Sequence, residues 1–354
     1  MKKCYLFRAA FSVAAVVSMS LLPSTAVADS DVGIQYDDDS VASVSSSSDS
    51  IDTIDFWTQE RIDEAIANPA PLFSVSDGIP TVDNLQNAAE KSESSDFEPI
   101  PPIIPSQNLL STYGFVSGYR SPATGKLTYS QGGNLYSCSA SFISSDSRRL
   151  IATAAHCLYS PEEGQWSTNM MFWPEYGIGQ QGFPVSQKRV LKKWQEADIV
   201  NGELYPWDII YDVGIAAIDT NVLPDNLKRP ADIYGAHGFG HSNLTGFQAR
   251  IFGYPTNPGN NEVMLSCSVT VKKDTYFLTP SGPLAFDVLR ADTCEIPNPR
   301  GASGGPWLQL YDASTGTGWL NGVSSAAEDN GPLYSAVFNG TIYDIYTESV
   351  DAGM

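Results

Sequence analysis

From about Asn108 onward, short β-rich runs alternate with clusters of glycine, proline and asparagine. YSCSASFIS, RRLIATAAH, NMMFWP, DVGIAAI, FQARIFGYP, CSVTV, WLQLY, WLNGVSSA and LYSAVF are the clearest of them. Runs of this kind and spacing, alternating or continuously apolar, favour antiparallel sandwiches or barrels over strand-helix-strand units. With 354 residues, 42% of them hydrophobic, the chain has enough apolar material for one large or two medium cores. No internal repeat accompanies the pattern.

The stretch before Asn108 has a different texture. Lys2, Lys3 and Arg8 lead into an apolar run from Ala9 to Leu22, and Ala26-Val27-Ala28 supplies small residues after it. That order reads as a secretory signal peptide over residues 1–28. A membrane anchor is the competing reading, but the run is shorter than the ~20 residues a span needs and breaks at Pro23. Between Asp29 and Ile100, seventeen acidic residues stand against Arg61 and Lys91, which accounts for three quarters of the formal net charge of −20. SVASVSSSSDS and KSESSDFEPIPPIIPS are poor in large apolar residues and then rich in proline, so residues 29–107 read as a largely disordered acidic segment. One island interrupts it. In DFWTQERIDEAIANPAP, Asp55 is placed to cap a helix, Trp57, Ile62 and Ile66 recur at near-helical spacing, and Pro69 ends the run. No part of the chain offers the cationic surface that phosphate binding needs, which argues against nucleic acid as a partner.

Export decides how the cysteines read. Cys4 leaves with the signal, so Cys138, Cys157, Cys267 and Cys294 remain for an oxidising compartment, where two disulfides are the default. Four cysteines allow three pairings, and the sequence ranks none of them. No metal is expected: there is no C-x-x-C pair, and His237 and His241 in AHGFGH lack an acidic or third histidine neighbour. Asn243 and Asn339 begin N-x-T sequons, which matter only in a eukaryotic secretory pathway.

Three features carry chemistry. IATAAHCLYS puts His156 at the end of a β-rich run beside Cys157, YDVGIAAID puts Asp212 at the head of another, and PRGASGGPW sets Ser303 in a glycine-rich turn. Nucleophilic acyl transfer needs a hydroxyl, a base within hydrogen-bond reach and a carboxylate that fixes the base's tautomer and stabilises its cation. A lone Ser-Gly-Gly is usually a turn and a lone buried histidine a core residue. Their order here, His then Asp 56 residues on and Ser 91 residues further, is that of chymotrypsin-like enzymes and not of subtilisins or α/β-hydrolases.

TAAHC, DVGIAAI and GASGGPW resemble the three catalytic blocks of the trypsin-like, chymotrypsin-fold serine peptidases. FWPEYG at Phe172, WDIIYDVG at Trp207 and GYP at Gly253 are similar to the bacterial branch that includes glutamyl endopeptidases, and FWTQER resembles a motif in the pro-regions of secreted microbial members. The resemblance spans roughly residues 108–350. It implies an all-β domain over 108–354, built of two six-stranded antiparallel β-barrels with the active site between them, His156 and Asp212 on the first and Ser303 on the second. It also implies the roles: Ser303 as nucleophile, His156 as general base, Asp212 as its orienting carboxylate, and the N–H groups of Gly301 and Ser303 as the oxyanion hole. Asp208 rivals Asp212 in spacing, but the apolar VGIAAI after Asp212 matches the family block better and leaves Asp208 solvent-facing. The pairings implied are Cys138 with Cys157, pinning the histidine's turn, and Cys267 with Cys294, bracing the second barrel.

The expected protein is a secreted serine endopeptidase, extracellular or periplasmic, made as a zymogen with residues 29–107 as its pro-segment. It acts as a monomer on protein or peptide substrates and uses no cofactor. The competing function is a non-catalytic binding or adhesion protein on a protease scaffold. Two departures from the family pattern matter. Six residues before the serine, where trypsins carry the aspartate that pairs with basic side chains, stands Pro297, with Glu295 and Glu328 as the available substitutes; LNGVSSAA has no histidine of the kind that binds acidic side chains in glutamyl endopeptidases. Neither strict preference is expected. Ala302 precedes the nucleophile where digestive enzymes place an aspartate for the activating ion pair, so the oxyanion turn must be set by other contacts.

Overall fold

The computed structural model describes residues 41–45, 50–70, 73–75, 98–106, 119–177, 181–200, 203–240, 246–256, 263–277, 285–294, 296, 299–328 and 331–354. The proposed signal peptide lies outside them, as do His241, Asn243, Glu295 and Pro297. The described chain is mostly β, with a closed six-stranded antiparallel barrel and a second, curled sheet.

The barrel runs Phe183–Leu191, Gly214–Ile218, Leu150–Thr153, Asn134–Phe142, Thr124–Gln131 and Thr168–Pro174, which closes back on the first of these. Continuous apolar runs arise because two of these strands are buried on both faces. Ala216, Ile218 and Ile151 pack inside the barrel with Leu127, Phe142 and Phe172, while Ile215, Ala217, Leu150 and Ala152 point outward into a second cluster. That outer cluster is covered by a helix, Gly340–Asp351, whose Ile342, Ile345 and Tyr346 are buried against it. Each such side chain removed from water contributes about 1.5–3 kcal/mol. The Asn339 side chain caps the helix by accepting the Ile342 N–H at 3.2 Å, so this asparagine has a structural role in addition to its place in a sequon.

The second sheet has six longer strands in the order Thr317–Val323, Pro306–Asp312, Phe247–Gly253, Leu265–Phe277, Ala285–Ala291 and Leu333–Ala336, with two-residue strands at its ends, Gly238–Phe239 and Ala326–Ala327. Trp307, Ile251, Val271 and Leu289 fill its core. Both implied disulfides are present, Cys138–Cys157 and Cys267–Cys294. Met171, Phe172, Trp173 and Tyr176 of the MMFWPEY run are buried, as core residues should be.

The acidic segment is more ordered in its described parts than its composition suggests. Val41–Ser45 pairs antiparallel with residues 187–191, the half of the Phe183–Leu191 strand that Thr168–Pro174 leaves open. Two helices follow, Ser50–Phe56 and Gln59–Ala67, in place of the single one expected. Thr58, not Asp55, is the N-cap of the second, accepting the Arg61 N–H; Asp55 sits exposed within the first. Trp57, Ile62, Ala65 and Ile66 then pack on Leu135, Met171, Trp173 and Tyr254 of the barrels, and Trp57 Nε1 donates to the Asn169 carbonyl. A few well-spaced apolar residues outweigh a polar composition once a folded surface is there to receive them. Ile100 and Ile103 likewise exchange backbone hydrogen bonds with Phe239 and Ala236, and the prolines flanking them, which have no N–H to donate, leave those ladder positions to the isoleucines. No helix among the described residues is long and apolar enough to cross a membrane.

Candidate active site

Strand pairing brings His156 and Asp212 together. Leu150–Thr153 and Gly214–Ile218 are neighbours with Thr153 opposite Gly214, so the residues just past the end of one strand and just before the start of the other share one rim of the barrel. His156 lies on the single helical turn Ala155–Leu158, anchored through Cys157 to Cys138 on the next strand. Asp212 follows the turn Pro206–Ile209 and donates its N–H to the Ile209 carbonyl. Its fully buried carboxylate accepts three hydrogen bonds: the His156 backbone N–H at 2.9 Å on Oδ1, and His156 Nδ1 at 2.8 Å and Ser325 Oγ at 2.5 Å on Oδ2. With Nδ1 facing a carboxylate, its proton resides there and Nε2 keeps its lone pair. The Ser325 hydroxyl was not singled out in sequence, where SSAA is an unremarkable strand end.

Ser303 sits in a turn that only glycines permit. Gly301 and Gly304 have φ of +86° and +79°. A Cβ on Gly304 would fall 2.1 Å from Thr153 Oγ1 and 2.3 Å from the Ser139 carbonyl oxygen, so this residue is where the second sheet touches the histidine's strand. The Ala302 N–H bonds the Pro299 carbonyl, Gly305 bonds Ala302, Gly304 bonds Ser324, and the Ser303 carbonyl accepts the Ser139 N–H at 2.7 Å. Among the described residues, neither the Gly301 nor the Ser303 N–H donates to any acceptor. His156 Nε2 and Ser303 Oγ are both buried without a hydrogen-bond partner, each other included. A buried base, a buried hydroxyl and two uncommitted backbone donors on adjoining elements can support acyl transfer.

The segment ahead of the domain reaches this site. The Thr256 hydroxyl donates to the Ile66 carbonyl, Pro69 lies against Gly301, and Ala70 donates its N–H to the Ser137 carbonyl at 2.9 Å. Phe73 bridges in parallel to Ala326, its carbonyl accepting the Ala327 N–H at 3.0 Å, and its ring meets that of His156 edge-on at 5.2 Å. Ser74–Val75 then pairs in parallel with Glu203–Leu204. None of these contacts was visible in the sequence.

Asp208 behaves differently from expectation. Asp208 is buried, not solvent-facing, because the turn Pro206–Ile209 folds it inward; loss of solvation pushes its carboxyl up to about 8 against the one backbone N–H, from Asp198, that favours the ionised form. A carboxyl that holds its proton to about pH 8 when folded, and releases it near 4 when unfolded, makes stability fall as pH rises through that interval. Asp208→Asn is therefore expected to raise the melting temperature relative to the parent at pH 8, with the gain fading towards pH 4; a difference that does not grow with pH contradicts the assignment. His237 is fully buried, and burial holds its imidazole down to about 3, neutral against the hydroxyls of Ser121 and Thr124. It is a core residue. Cys138, Cys157 and His156 cluster closely, but both sulfurs are committed to the disulfide and offer no thiolate to a metal.

No family model and no curated protein matches the chain. Solved structures do. The thermostable serine protease AL20 from an extremophilic microorganism is 21% identical at a TM-score of 0.50, over 65% of this chain and 98% of that one. The protease Anisep from Arthrobacter nicotinovorans is 23% identical at the same TM-score, over 66% and 98%. Nearly the whole of each of those proteases is thus matched by about two thirds of this chain, and what they share at this identity is the architecture: the chain has the two-barrel fold of the trypsin-like, chymotrypsin-fold serine proteases.

Proposed function

We propose that this chain is a secreted serine endopeptidase made as a zymogen, with Ser303, His156 and Asp212 as its triad and residues 29–107 as its pro-segment. The observation that carries the reading is the His156–Asp212 pair at 2.8 Å, which engages Nδ1 and leaves Nε2 unbonded, while Ser303 Oγ in its glycine turn is likewise buried and unbonded. Ser303 Oγ attacks the scissile carbonyl while His156 Nε2 takes its proton. The oxyanion forms against the N–H groups of Gly301 and Ser303. His156 then returns the proton to the leaving amine, and water repeats the cycle on the acyl-enzyme. Asp212, whose carboxylate accepts from the His156 backbone N–H, His156 Nδ1 and Ser325 Oγ, orients the imidazole and balances the imidazolium that forms. The leader-like N-terminus and the two disulfides support secretion.

In this reading the zymogen is silent because its own segment lies across the site. Pro69 sits at the oxyanion turn, Ala70 on Ser137 of the Asn134–Phe142 strand, and Phe73 against both His156 and the Ala326–Ala327 strand. A substrate would need the same strand edges for its own backbone. A fluorophosphonate probe applied to the processed protein tests the reading, since an activated serine reacts and a turn serine does not. Labelling that maps to Ser303 and disappears in Ser303→Ala is expected. A folded, processed protein that stays unlabelled points instead to a binding protein on a protease scaffold.

A further inference from the structure

Ala302 raises a mechanical question. With no carboxylate next to the nucleophile, no ion pair at that residue can hold the oxyanion turn, and Gly301 at φ +86° has wide freedom to rotate. Ala302 itself is buried, its methyl packed against Gly253, so its site is filled by carbon. Within the turn, the Ala302-to-Pro299 and Gly305-to-Ala302 bonds are local and tie the loop only to itself. Something must fix it relative to His156 on the other barrel.

We infer that Ser139 is the positioning residue for the oxyanion turn. It is fully buried on the Asn134–Phe142 strand, directly after Cys138, whose disulfide holds the histidine's turn. Its hydroxyl donates to the Gly301 carbonyl at 2.9 Å and accepts the Tyr254 N–H at 2.9 Å. Its backbone N–H donates to the Ser303 carbonyl at 2.7 Å, and its own carbonyl accepts the Thr153 hydroxyl at 2.8 Å, three residues before His156. One residue therefore holds the carbonyl on each side of Ala302 and the strand that carries the base. The peptide that carries the Gly301 N–H is held through its Arg300 carbonyl, which accepts the Thr256 N–H at 2.7 Å, and the peptide that follows Gly301 is held by the Ser139 hydroxyl. With the planes on both sides of Gly301 fixed, the freedom of this glycine is removed, and Ser139 supplies the tie to the first barrel.

The inference rests on the triad reading, and its consequence is specific. Without the Ser139 hydroxyl, the Gly301 peptide loses its tie to the first barrel, and two buried groups, the Gly301 carbonyl and the Tyr254 N–H, lose their partner. Removing an oxyanion donor outright lowers turnover about 10²–10³-fold. A donor still present but loosely aimed should lower it about 10–100-fold. The loss should fall on kcat, since the donor acts on the tetrahedral state more than on bound substrate.

The test compares the parent protein, Ser139→Ala and the near-isosteric Ser139→Cys, each expressed as the full chain and processed with the same added protease. Turnover of one chromogenic peptide is measured beside affinity for a peptide boronic acid, which forms a tetrahedral adduct on the serine. The expected result is a 10–100-fold fall in kcat with KM within about threefold, and a parallel fall in boronate affinity, in whichever variant is folded. A folded variant that keeps kcat and boronate affinity within about threefold of the parent overturns the inference, as does a loss confined to KM. Inactivity of the parent itself would sink the triad reading instead, so the two failures are distinguishable.

Discussion

Ser303→Ala and His156→Ala, made separately in the processed protein, are each expected to lower kcat by about 10⁶ while circular dichroism and melting behaviour stay close to the parent's. Neither side chain hydrogen-bonds through its reacting atom, Oγ or Nε2, so Ser303→Ala strands no partner, while His156→Ala removes the Nδ1 donor from the Asp212 carboxylate but leaves it the backbone N–H of residue 156 and Ser325 Oγ. The catalytic loss is large because the two act as a unit: a hydroxyl without a base is a poor nucleophile, and a base without the hydroxyl has only water to activate. Asp212→Asn is expected to be milder, about 10⁴ in the best-studied arrangement of this kind. There the amide can still accept from the His156 backbone N–H, but it no longer favours a proton on Nδ1. A Ser303→Ala protein that is folded and turns over peptide within tenfold of the parent removes the proposed nucleophile, whatever the geometry of the pair beside it.

The parts of this arrangement legible in the sequence are those where chemistry and backbone make joint demands. Glycine is required at 301 and 304 by positive φ and at 304 also by the approach of Thr153 and Ser139, so the turn around Ser303 stands out in any reading. Leu150–Thr153 and Gly214–Ile218 stand out because strands buried on both faces must be continuously apolar. Ser139 and Ser325 do not stand out. A serine in or beside a strand looks the same in sequence whether it faces solvent or holds a buried acceptor, and their partners lie 162 and 113 residues away. The C-terminal helix was missed for a different reason. GTIYDIYTESVD is rich in β-branched and aromatic residues that favour strands, yet Ile342, Ile345, Tyr346 and Ser349 recur at helical intervals behind an Asn339 cap, so periodicity and not composition carries the helical signal. Val41–Ser45 carried no comparable signal, because what makes it a strand is the open half of its partner.

Excision of the segment is the second large effect: the intact chain should hydrolyse a small peptide ester at least 10²-fold more slowly than the processed protein, and Phe73→Ala alone should recover a substantial part of the difference. Phe73 is almost fully buried between His156 and the Ala326–Ala327 strand, and truncating a buried phenylalanine typically costs about 3–5 kcal/mol. Two backbone hydrogen bonds, Ala70 to Ser137 and Ala327 to Phe73, each add about 0.5–1.5 kcal/mol. Ordering the residues of the crossing opposes this by about 1–2 kcal/mol apiece. The balance is tipped by the anchor upstream, where Trp57, Ile62 and Ile66 are buried on the barrels and Val41–Ser45 is paired with the barrel edge, so the crossing is held at high effective concentration. That anchor also means that a single cut after Val75 need not free the site. The severed segment should remain bound and inhibit until it dissociates or is digested, and a synthetic peptide covering residues 41–75 should inhibit the proposed activity of the processed protein in trans, more weakly with Phe73→Ala. Ester turnover by the intact chain within threefold of the processed protein, with its N-terminal residues verified by mass spectrometry, would show that the segment does not restrain the site it crosses.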